Sequence, residues 1–167
     1  LLSRGLGDVY KRQATREMAL MLRLNSSKWR IHMKKIMIVD DNYLSAEGIE
    51  KNIDWEALNA EIVHICYNGT SAIEAMKKES VDLIISDIEM PDLDGISMSR
   101  QALNINPMVK IILISAYDKF EYARRALLLG ALDYIEKPLD YAYLIQKVKN
   151  AFALMERCLL YTSDAAD

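Results

Sequence analysis

The sequence predicts a doubly wound α/β fold with a five-stranded parallel sheet in the order 2-1-3-4-5. Between residues 33 and 157, short apolar runs alternate five times with stretches of helical periodicity. The runs are apolar throughout, which is typical of strands that are buried on both faces of a parallel sheet. With 51% hydrophobic residues, six Gly and three Pro in 167 residues, the composition indicates one packed domain and excludes a disordered or repeat protein.

Apolar runs and capping residues define the first two β-α units. Lys34–Val39 is a run of strand length, and Asn42 is a good N-cap for a helix that continues to about Ile53. The run Ala60–Cys66 predicts the second strand. The helix of this unit is delimited by a turn at Asn68-Gly69, a capping box of Ser71 with Glu74, and an end near Glu79.

The other three units follow the same pattern. Val81–Ser86 predicts the third strand, and the loop Pro91–Gly95 leads into a helix to about Ile105. Pro107 separates that helix from the fourth strand, Val109–Ile114. The remaining elements are a helix with a capping box of Asp118 and Glu121 that stops at Gly130, the strand Leu132–Ile135, and a helix from Asp140 to about Glu156.

Both ends of the chain carry sequence that we expect to be non-native. Asp8–Gln13 can be encoded by GAT GTG TAT AAG AGA CAG, and the reverse complement, read one base out of frame, encodes Cys158–Thr162 and begins a Ser codon. This complementarity indicates translated read-through of a sequencing adapter over residues 3–13 and 158–167. Trp29-Arg30 can be written TGG AGG, a ribosome-binding sequence, so we expect residues 1–32 to be a leader and the domain to be 33–157.

Charge and composition narrow the class of function. Residues 33–157 contain 14 Lys or Arg against 20 Asp or Glu, a net charge of −6. This acidity gives no reason to expect nucleic-acid binding by the segment itself. No apolar run approaches the ~20 residues of a membrane span, and the two cysteines form neither a disulfide framework nor a metal motif. We therefore expect a cytoplasmic protein without membrane contact.

The predicted strand order gathers polar residues at one edge of the sheet. Asp40 and Asp41 follow the first strand, Asp87 the third, Ser115 the fourth and Lys137 the fifth. Ligands of open α/β sheets bind at the carboxyl ends of the strands, near the switch point between strands 1 and 3. Three carboxylates, a hydroxyl and an amine are therefore expected to share one site.

Three close carboxylates need a cation, because two of them at about 4 Å repel by roughly 4 kcal/mol at an effective dielectric constant near 20. An oxygen-only set of ligands favours Mg²⁺. Such a site suits phosphoryl chemistry, in which a carboxylate attacks phosphorus and forms an acyl phosphate. We predict Asp87 as the nucleophile, with Lys137 balancing charge and Ser115 donating a hydrogen bond to a phosphoryl oxygen.

Residues 33–157 resemble the receiver (CheY-like) domain of a two-component response regulator, a flavodoxin-like fold. The resemblance rests on four motifs in the family's order: IVDD at Ile38–Asp41, SDIEMPDLDG at Ser86–Gly95, ISA at Ile114–Ala116 and YIEKP at Tyr134–Pro138. DWE at Asp54–Glu56 and the segment Ser115–Asp140 are further similar to YesN-like receivers, which carry an AraC-type helix-turn-helix output domain.

The resemblance implies a role for each site residue. Asp87 would accept a phosphoryl group from a phosphohistidine of a sensor histidine kinase. Mg²⁺ would be held by Asp41, Asp87 and the backbone carbonyl of Glu89, with Asp40 in support. Lys137 would precede a cis peptide bond to Pro138.

The resemblance also implies a switch in place of an enzyme with an external substrate. The domain would catalyse only its own phosphorylation and dephosphorylation. Ser115 would move inward and Tyr134 would rotate beside it, which reshapes the face formed by residues 118–129, the fifth strand and the last helix. That face would be the output surface and, on phosphorylation, the homodimer surface. DNA binding would belong to a C-terminal domain that the chain lacks.

Other interpretations of the same residues remain open. The acids could be solvated loop residues, Ser115 a strand-end cap, and Tyr134 ordinary core packing. An FMN carrier of this fold is disfavoured because Asp40 and Asp41 would repel a phosphate, and a haloacid-dehalogenase-like phosphatase would need a cap insertion for which there is no room. A stand-alone receiver that acts by protein contact is the main alternative, and the coding sequence beyond Arg157 would distinguish it.

Overall fold

The computed structural model describes residues 32–116 and 120–164. The predicted leader, except for His32, and the last three residues of the predicted adapter tail lie outside the described residues, as does Asp118 of the predicted capping box. No helix within the described ranges is both long and apolar enough to cross a membrane.

Five parallel strands form one sheet in the order β2-β1-β3-β4-β5, which confirms the predicted topology. The strands are β1 (Lys34–Val39), β2 (Ala60–Cys66), β3 (Leu83–Asp87), β4 (Lys110–Ser115) and β5 (Asp133–Glu136). The helices are α1 (Tyr43–Asn52), α2 (Gly69–Lys78), α3 (Gly95–Ile105), α4 (Phe120–Leu129) and α5 (Tyr141–Asp164).

Each face of the sheet carries its own hydrophobic core, because alternate residues of a strand point to opposite faces. Met37 and Val39 of β1 pack with buried residues of α2, α3 and α4. Ile36 and Ile38 of the same strand pack with buried residues of α1 and α5. Burying one such aliphatic side chain contributes roughly 1.5–3 kcal/mol. The helices on both faces therefore explain why the strands are apolar throughout.

Strands three to five end later than the apolar pattern predicts. β3 includes Asp87, β4 includes Ser115, and β5 extends to Glu136. Asp87 pairs with Ile114, and Ser115 pairs with Glu136. The ladder between neighbouring strands continues past the apolar run, because backbone pairing does not depend on side-chain polarity. Two of the predicted site residues are thus held within strands.

Helix starts agree with the sequence at Asn42 and differ at Ser71. The Asn42 side chain accepts hydrogen bonds from the backbone N–H groups of Leu44 and Ser45 and caps α1 as predicted. The predicted Ser71/Glu74 capping box is wrong, because α2 begins two residues earlier. Asn68 is its N-cap and accepts from the Ser71 N–H at 2.8 Å. An Asn-Gly pair can thus start a helix where a turn was predicted.

The last helix is longer than predicted. It continues beyond Glu156 to Asp164, into the segment that we expect to be adapter-encoded. No Gly or Pro interrupts residues 141–164, and most of them have good helix propensity. Leu159, Leu160 and Tyr161 in this extension are exposed. The extension therefore adds little to the hydrophobic core.

Candidate functional site

The carboxyl ends of β1 and β3 bring three aspartates together. Asp40 and Asp41 directly follow β1, and Asp87 is the last residue of β3. Since Val39 of β1 lies opposite Ser86 of β3, the next residues of both strands face the same point. Oxygen atoms of the three carboxylates lie within 4.8 Å of one another. The structure thus brings the predicted acids into one cluster.

Two of these carboxylates are buried, which makes their repulsion strong. Asp40 is 2% exposed and Asp87 is 6% exposed, whereas Asp41 is exposed to solvent. Two negative charges about 4.8 Å apart repel by roughly 3–4 kcal/mol at an effective dielectric constant near 20. Burial adds the cost of removing each charge from water. The site therefore favours any cation or proton that reduces its negative charge.

Lys137 supplies a positive charge from the end of β5. Its Nζ lies 3.2 Å from Asp87 Oδ1 and 3.4 Å from Asp40 Oδ2. Its backbone N–H donates to the Ser115 carbonyl at 2.8 Å, so β4 fixes the backbone of Lys137. One ammonium thus lies between two buried carboxylates, and the site keeps an excess of negative charge when all three acids are ionised.

The pKa values of the buried groups follow from this arrangement. Burial raises the pKa of Asp87 to about 6, and attraction to Lys137 only partly opposes this effect. Burial also raises the pKa of Asp40, against a hydrogen bond at 2.8 Å from the Asn42 N–H to its Oδ1. For Lys137, burial lowers the pKa, but Asp40 and Asp87 outweigh burial and raise it overall.

The donor set fits Mg²⁺. Asp87 Oδ1 is buried and accepts no hydrogen bond of good geometry from any described residue, although Lys137 Nζ is 3.2 Å away. A buried carboxylate oxygen in this condition is unfavourable unless another donor or a cation reaches it. The cluster offers only oxygen ligands, and exposed Asp41 leaves one side open to solvent. These are the ligands and the access that Mg²⁺, which keeps several waters, requires.

Backbone contacts hold the Asp87 segment in place. Ile88 N–H donates to the Ile114 carbonyl at 2.8 Å, and Gly95 N–H donates to the Ile88 carbonyl at 2.8 Å. A Cβ on Gly95 would lie 2.2 Å from the Asp87 carbonyl oxygen, so no larger residue fits. Ser86 Oγ donates to the same oxygen at 2.8 Å. The close approach of Gly95 to Asp87 and the hydrogen bond from Ser86 depend on the folded loop, so the motif alone did not predict them.

The other predicted residues lie near this cluster, and their roles stay predictions. Ser115 is fully buried at the end of β4. Tyr134 is half-buried in β5 opposite Leu113 and packs against the core that includes α2, α3 and α4. Glu89 is half-buried on the loop after β3. The peptide bond between Lys137 and Pro138 is cis, as the resemblance implies.

A groove of about 350 Å³ opens beside the carboxylates, between the start of α1 and the loop after β5. Asp40 and Lys137 line it together with apolar side chains that include Leu44, Pro138 and Leu139. Its full lining is Asp40, Asn42, Leu44, Ser45, Ile49, Ile114, Lys137, Pro138, Leu139 and Tyr141. Asp40 and Lys137 are thus the charged residues of the site that line this groove.

Sequence comparisons agree with this geometry. Residues 36–149 match the family described as the response regulator receiver domain. YesN of Bacillus subtilis, an uncharacterized transcriptional regulatory protein, is 30% identical over 125 residues, which are 75% of this chain and 34% of YesN. The chemotaxis protein CheY of Treponema pallidum is 34% identical over 116 residues, which are 68% of this chain and 79% of CheY. The chain spans about a third of the length of YesN.

Solved structures show the same arrangement of elements. The REC domain of AraT, a response regulator from Geobacillus stearothermophilus, superimposes with a TM-score of 0.67 at 31% identity, covering 78% of this chain and 98% of that domain. A two component transcriptional regulator AraC from Clostridium phytofermentans gives a TM-score of 0.66 at 29% identity, with coverage of 78% and 98%.

Replacement of Asp87 by Asn is expected to stabilise the metal-free protein at pH 8. The native state raises the pKa of Asp87 from 3.8 to about 6, so ionisation of this group opposes folding. The penalty is fully present above about pH 6 and disappears below about pH 4. A shift of this size corresponds to roughly 2–3 kcal/mol in the free energy of unfolding, measured by urea denaturation.

The exposed acid Glu56 provides the control, because Glu56→Gln changes the formal charge equally outside the cluster. We expect Glu56→Gln to change stability by less than about 0.5 kcal/mol at either pH. An Asp87→Asn protein that is no more stable than the wild type at pH 8, or equally stabilised at pH 4, would contradict the proposed electrostatic strain.

Proposed function

Because the chain belongs to the response regulator receiver domain family, we propose that it is the phosphorylation-dependent switch of a transcriptional regulator. A receiver of this family is a signalling domain rather than a metabolic enzyme. The observation that carries the proposal is the cluster of Asp40, Asp41 and Asp87, with Lys137 Nζ within 3.4 Å of both buried carboxylates. Asp87 is the proposed phosphoacceptor.

The proposed reaction is a transfer from phosphohistidine to Asp87. A carboxylate oxygen of Asp87 attacks phosphorus and forms a P–O bond, while the P–N bond to the donor imidazole breaks and its electron pair stays on nitrogen. The product is an acyl phosphate on Asp87 and a free histidine on the kinase. Asp87 Oδ1 accepts no hydrogen bond of good geometry from the described residues, so its electron pairs are available for an attack on phosphorus.

Asp41, Asp87 and the backbone carbonyl of Glu89 would hold Mg²⁺, and Asp40 would support it. When bound, the ion supplies positive charge that reduces repulsion between the phosphoryl oxygens and the carboxylates. Support comes from the chemistry of the cluster, which offers only oxygen ligands and has an exposed member in Asp41. Lys137, which lies between Asp40 and Asp87, would contribute positive charge from the β5 side of the site.

Lys137 and Ser115 are proposed to contact the phosphoryl oxygens. Lys137 Nζ is 3.2 Å from Asp87 Oδ1, so a group attached to that carboxylate would lie within reach of the ammonium. Ser115 lies beside Lys137, since the Ser115 carbonyl accepts a hydrogen bond from the Lys137 N–H. A hydroxyl donor and an ammonium on the β4–β5 side would together stabilise the added negative charge.

We propose that the donor is a sensor histidine kinase that docks over the groove beside the site. Leu44 on the rim of the groove is 78% exposed, and Tyr43 and Tyr67 next to it stack with ring centroids 4.6 Å apart while both remain exposed. Exposed apolar side chains next to a buried reactive group are typical of a protein interface. Through this groove, a histidine of the kinase would approach Asp40 and Lys137.

The proposed output is a change in the face formed by α4, β5 and α5. Phosphorylation adds about −1.5 to −2 charge units, which would draw Ser115 inward and let Tyr134 rotate toward the vacated space. Leu127, Leu128 and Tyr143 on this face are exposed and suit a homodimer contact. YesN is named as a transcriptional regulator, so we propose that DNA binding resides in a further domain of the full protein.

Acetyl phosphate with Mg²⁺ is expected to label the wild-type protein and to leave Asp87→Asn unlabelled. Intact-protein mass spectrometry measures the gain of one phosphoryl group, and hydroxylamine, which cleaves acyl phosphates, should remove it. Removal of Mg²⁺ with EDTA should lower the labelling rate. Asp92→Asn, on the exposed loop after β3, is the control and should be labelled like the wild type. Equal labelling of the wild type and Asp87→Asn would refute the assignment of Asp87.

Lys137→Ala is expected to keep Mg²⁺ binding and to lose the phosphorylation-dependent change. The carboxylates that would hold the ion lie at the carboxyl ends of β1 and β3, away from β5, whereas the proposed contact of Lys137 with the phosphoryl group would be lost. Backbone amide NMR shifts of Tyr134 and its neighbours, recorded with Mg²⁺ alone and with Mg²⁺ and acetyl phosphate, measure the two events separately. A full phosphorylation-dependent shift in Lys137→Ala would remove Lys137 from the proposed role. Lys149→Ala on α5 is the matched control.

A further inference from the structure

Gly48 of α1 faces Tyr141, the first residue of α5, without space for a side chain. A Cβ on Gly48 would lie 2.6 Å from the hydroxyl oxygen of Tyr141 and 3.8 Å from Cζ of the same ring. The first distance is shorter than real contacts allow, and the second is an ordinary van der Waals contact. The Tyr141 hydroxyl group therefore lies close to the α1 backbone, and its oxygen atom leaves no space for a larger residue at position 48.

Tyr141 lies at the start of α5, directly after the loop that carries Lys137. The ring is half-buried and packs against the hydrophobic core shared by α1 and α5. Asp140, which precedes it, accepts the Ala142 N–H at 2.9 Å on its side chain and the Leu144 N–H at 2.9 Å on its carbonyl. Lys137 lies only four residues before Tyr141. Tyr141 is therefore fixed at the start of α5, a few residues after Lys137.

The same loop forms one wall of the groove beside the carboxylates. Pro138, Leu139 and Tyr141 line this wall, and Asn42, Leu44 and Ser45 at the start of α1 line the other. Tyr141 on one wall also approaches Gly48, which precedes Ile49 in the lining of the groove. Lys137 begins on one wall, and its Nζ lies 3.4 Å from Oδ2 of Asp40, which follows β1.

We propose that Tyr141 is a positioning residue, seated on Gly48, that sets how far Lys137 extends over Asp40 and Asp87. Its effect on phosphorylation rests on the proposed function of the site, whereas the contact itself does not. In this arrangement, α1 helps to position a lysine that lies far from it in the sequence. The same arrangement also gives a reason for a glycine in the interior of a helix, where glycine is otherwise unfavourable.

Four proteins test the contact: the wild type, Gly48→Ala, Tyr141→Phe and the double variant. Gly48→Ala places a methyl group against the hydroxyl oxygen, and Tyr141→Phe removes that oxygen and leaves the next ring atom at 3.8 Å. The double variant should therefore restore the wild-type arrangement. Since Ala is also favoured over Gly inside a helix, it should unfold at a higher urea concentration than Tyr141→Phe.

Two functional quantities are measured. The first is the maximal rate of labelling by acetyl phosphate, and the second is the Mg²⁺ concentration that gives half of that rate. Gly48→Ala should lower the maximal rate about fivefold or more, because small misplacements of a reacting group are costly. The half-saturating Mg²⁺ concentration should not rise, since Asp41 and Asp87 lie outside the loop. Tyr141→Phe and the double variant should label at rates within about twofold of the wild type. Glu50→Ala, on the exposed side of α1, is the control.

The outcomes separate this inference from the proposed function. An unchanged rate in Gly48→Ala, or equal slowing in the double variant, would overturn the positioning role. If Gly48→Ala does not fold, Tyr141→Ala tests the same contact and should also lower the maximal rate. If the wild type accepts no phosphoryl group, the proposed function fails, and the urea midpoints still decide the contact: a higher midpoint for Gly48→Ala than for the wild type would refute it.

Discussion

Repulsion among Asp40, Asp41 and Asp87 is the constraint on which the rest of the site depends. Their oxygens lie within 4.8 Å, and two of the three acids are buried. Lys137 contributes a single positive charge to this cluster. The apolar cores on both faces of the sheet must therefore stabilise the fold against a strained cluster at its edge. Protonation, a divalent cation or a substitution would each relieve the same strain, which links stability, pH and ligand binding at this position.

The parallel sheet is what makes such crowding possible. Because β1 and β3 are neighbours and run in the same direction, their carboxyl ends place Asp40 and Asp87 side by side. The two faces then fix different parts of the site. Gly95 at the start of α3 closely approaches the Asp87 carbonyl on one face, while Tyr141 closely approaches Gly48 on the face that carries α1 and α5. Elements on different faces of the sheet thus contact the segments that carry Asp87 and Lys137.

Periodicity predicted the number, type and order of the elements, because strands that are buried on both faces are continuous apolar runs in the sequence. It failed where tertiary contacts decide. Asp87 and Ser115 are strand residues because their neighbours pair with them, and Asn68 outcompetes Ser71 as a cap. The convergence of the acids followed from the predicted strand order. The contact of Gly48 with Tyr141 had no local signal, since the two residues are 93 positions apart and only the folded chain brings them together.

The charge balance also indicates which strands would accommodate a phosphoryl group on Asp87, if one were added. A phosphoryl group on Asp87 would add negative charge to a cluster that already has an excess of it. On the β1 side the neighbouring groups are Asp40 and Asp41, which can only repel the new charge. Ser115 and Lys137, which can donate to it, lie at the ends of β4 and β5. Any rearrangement that stabilises the phosphorylated state therefore draws on β4 and β5, and the helix that follows each strand, α4 or α5, is the part of the surface that this movement would reach first.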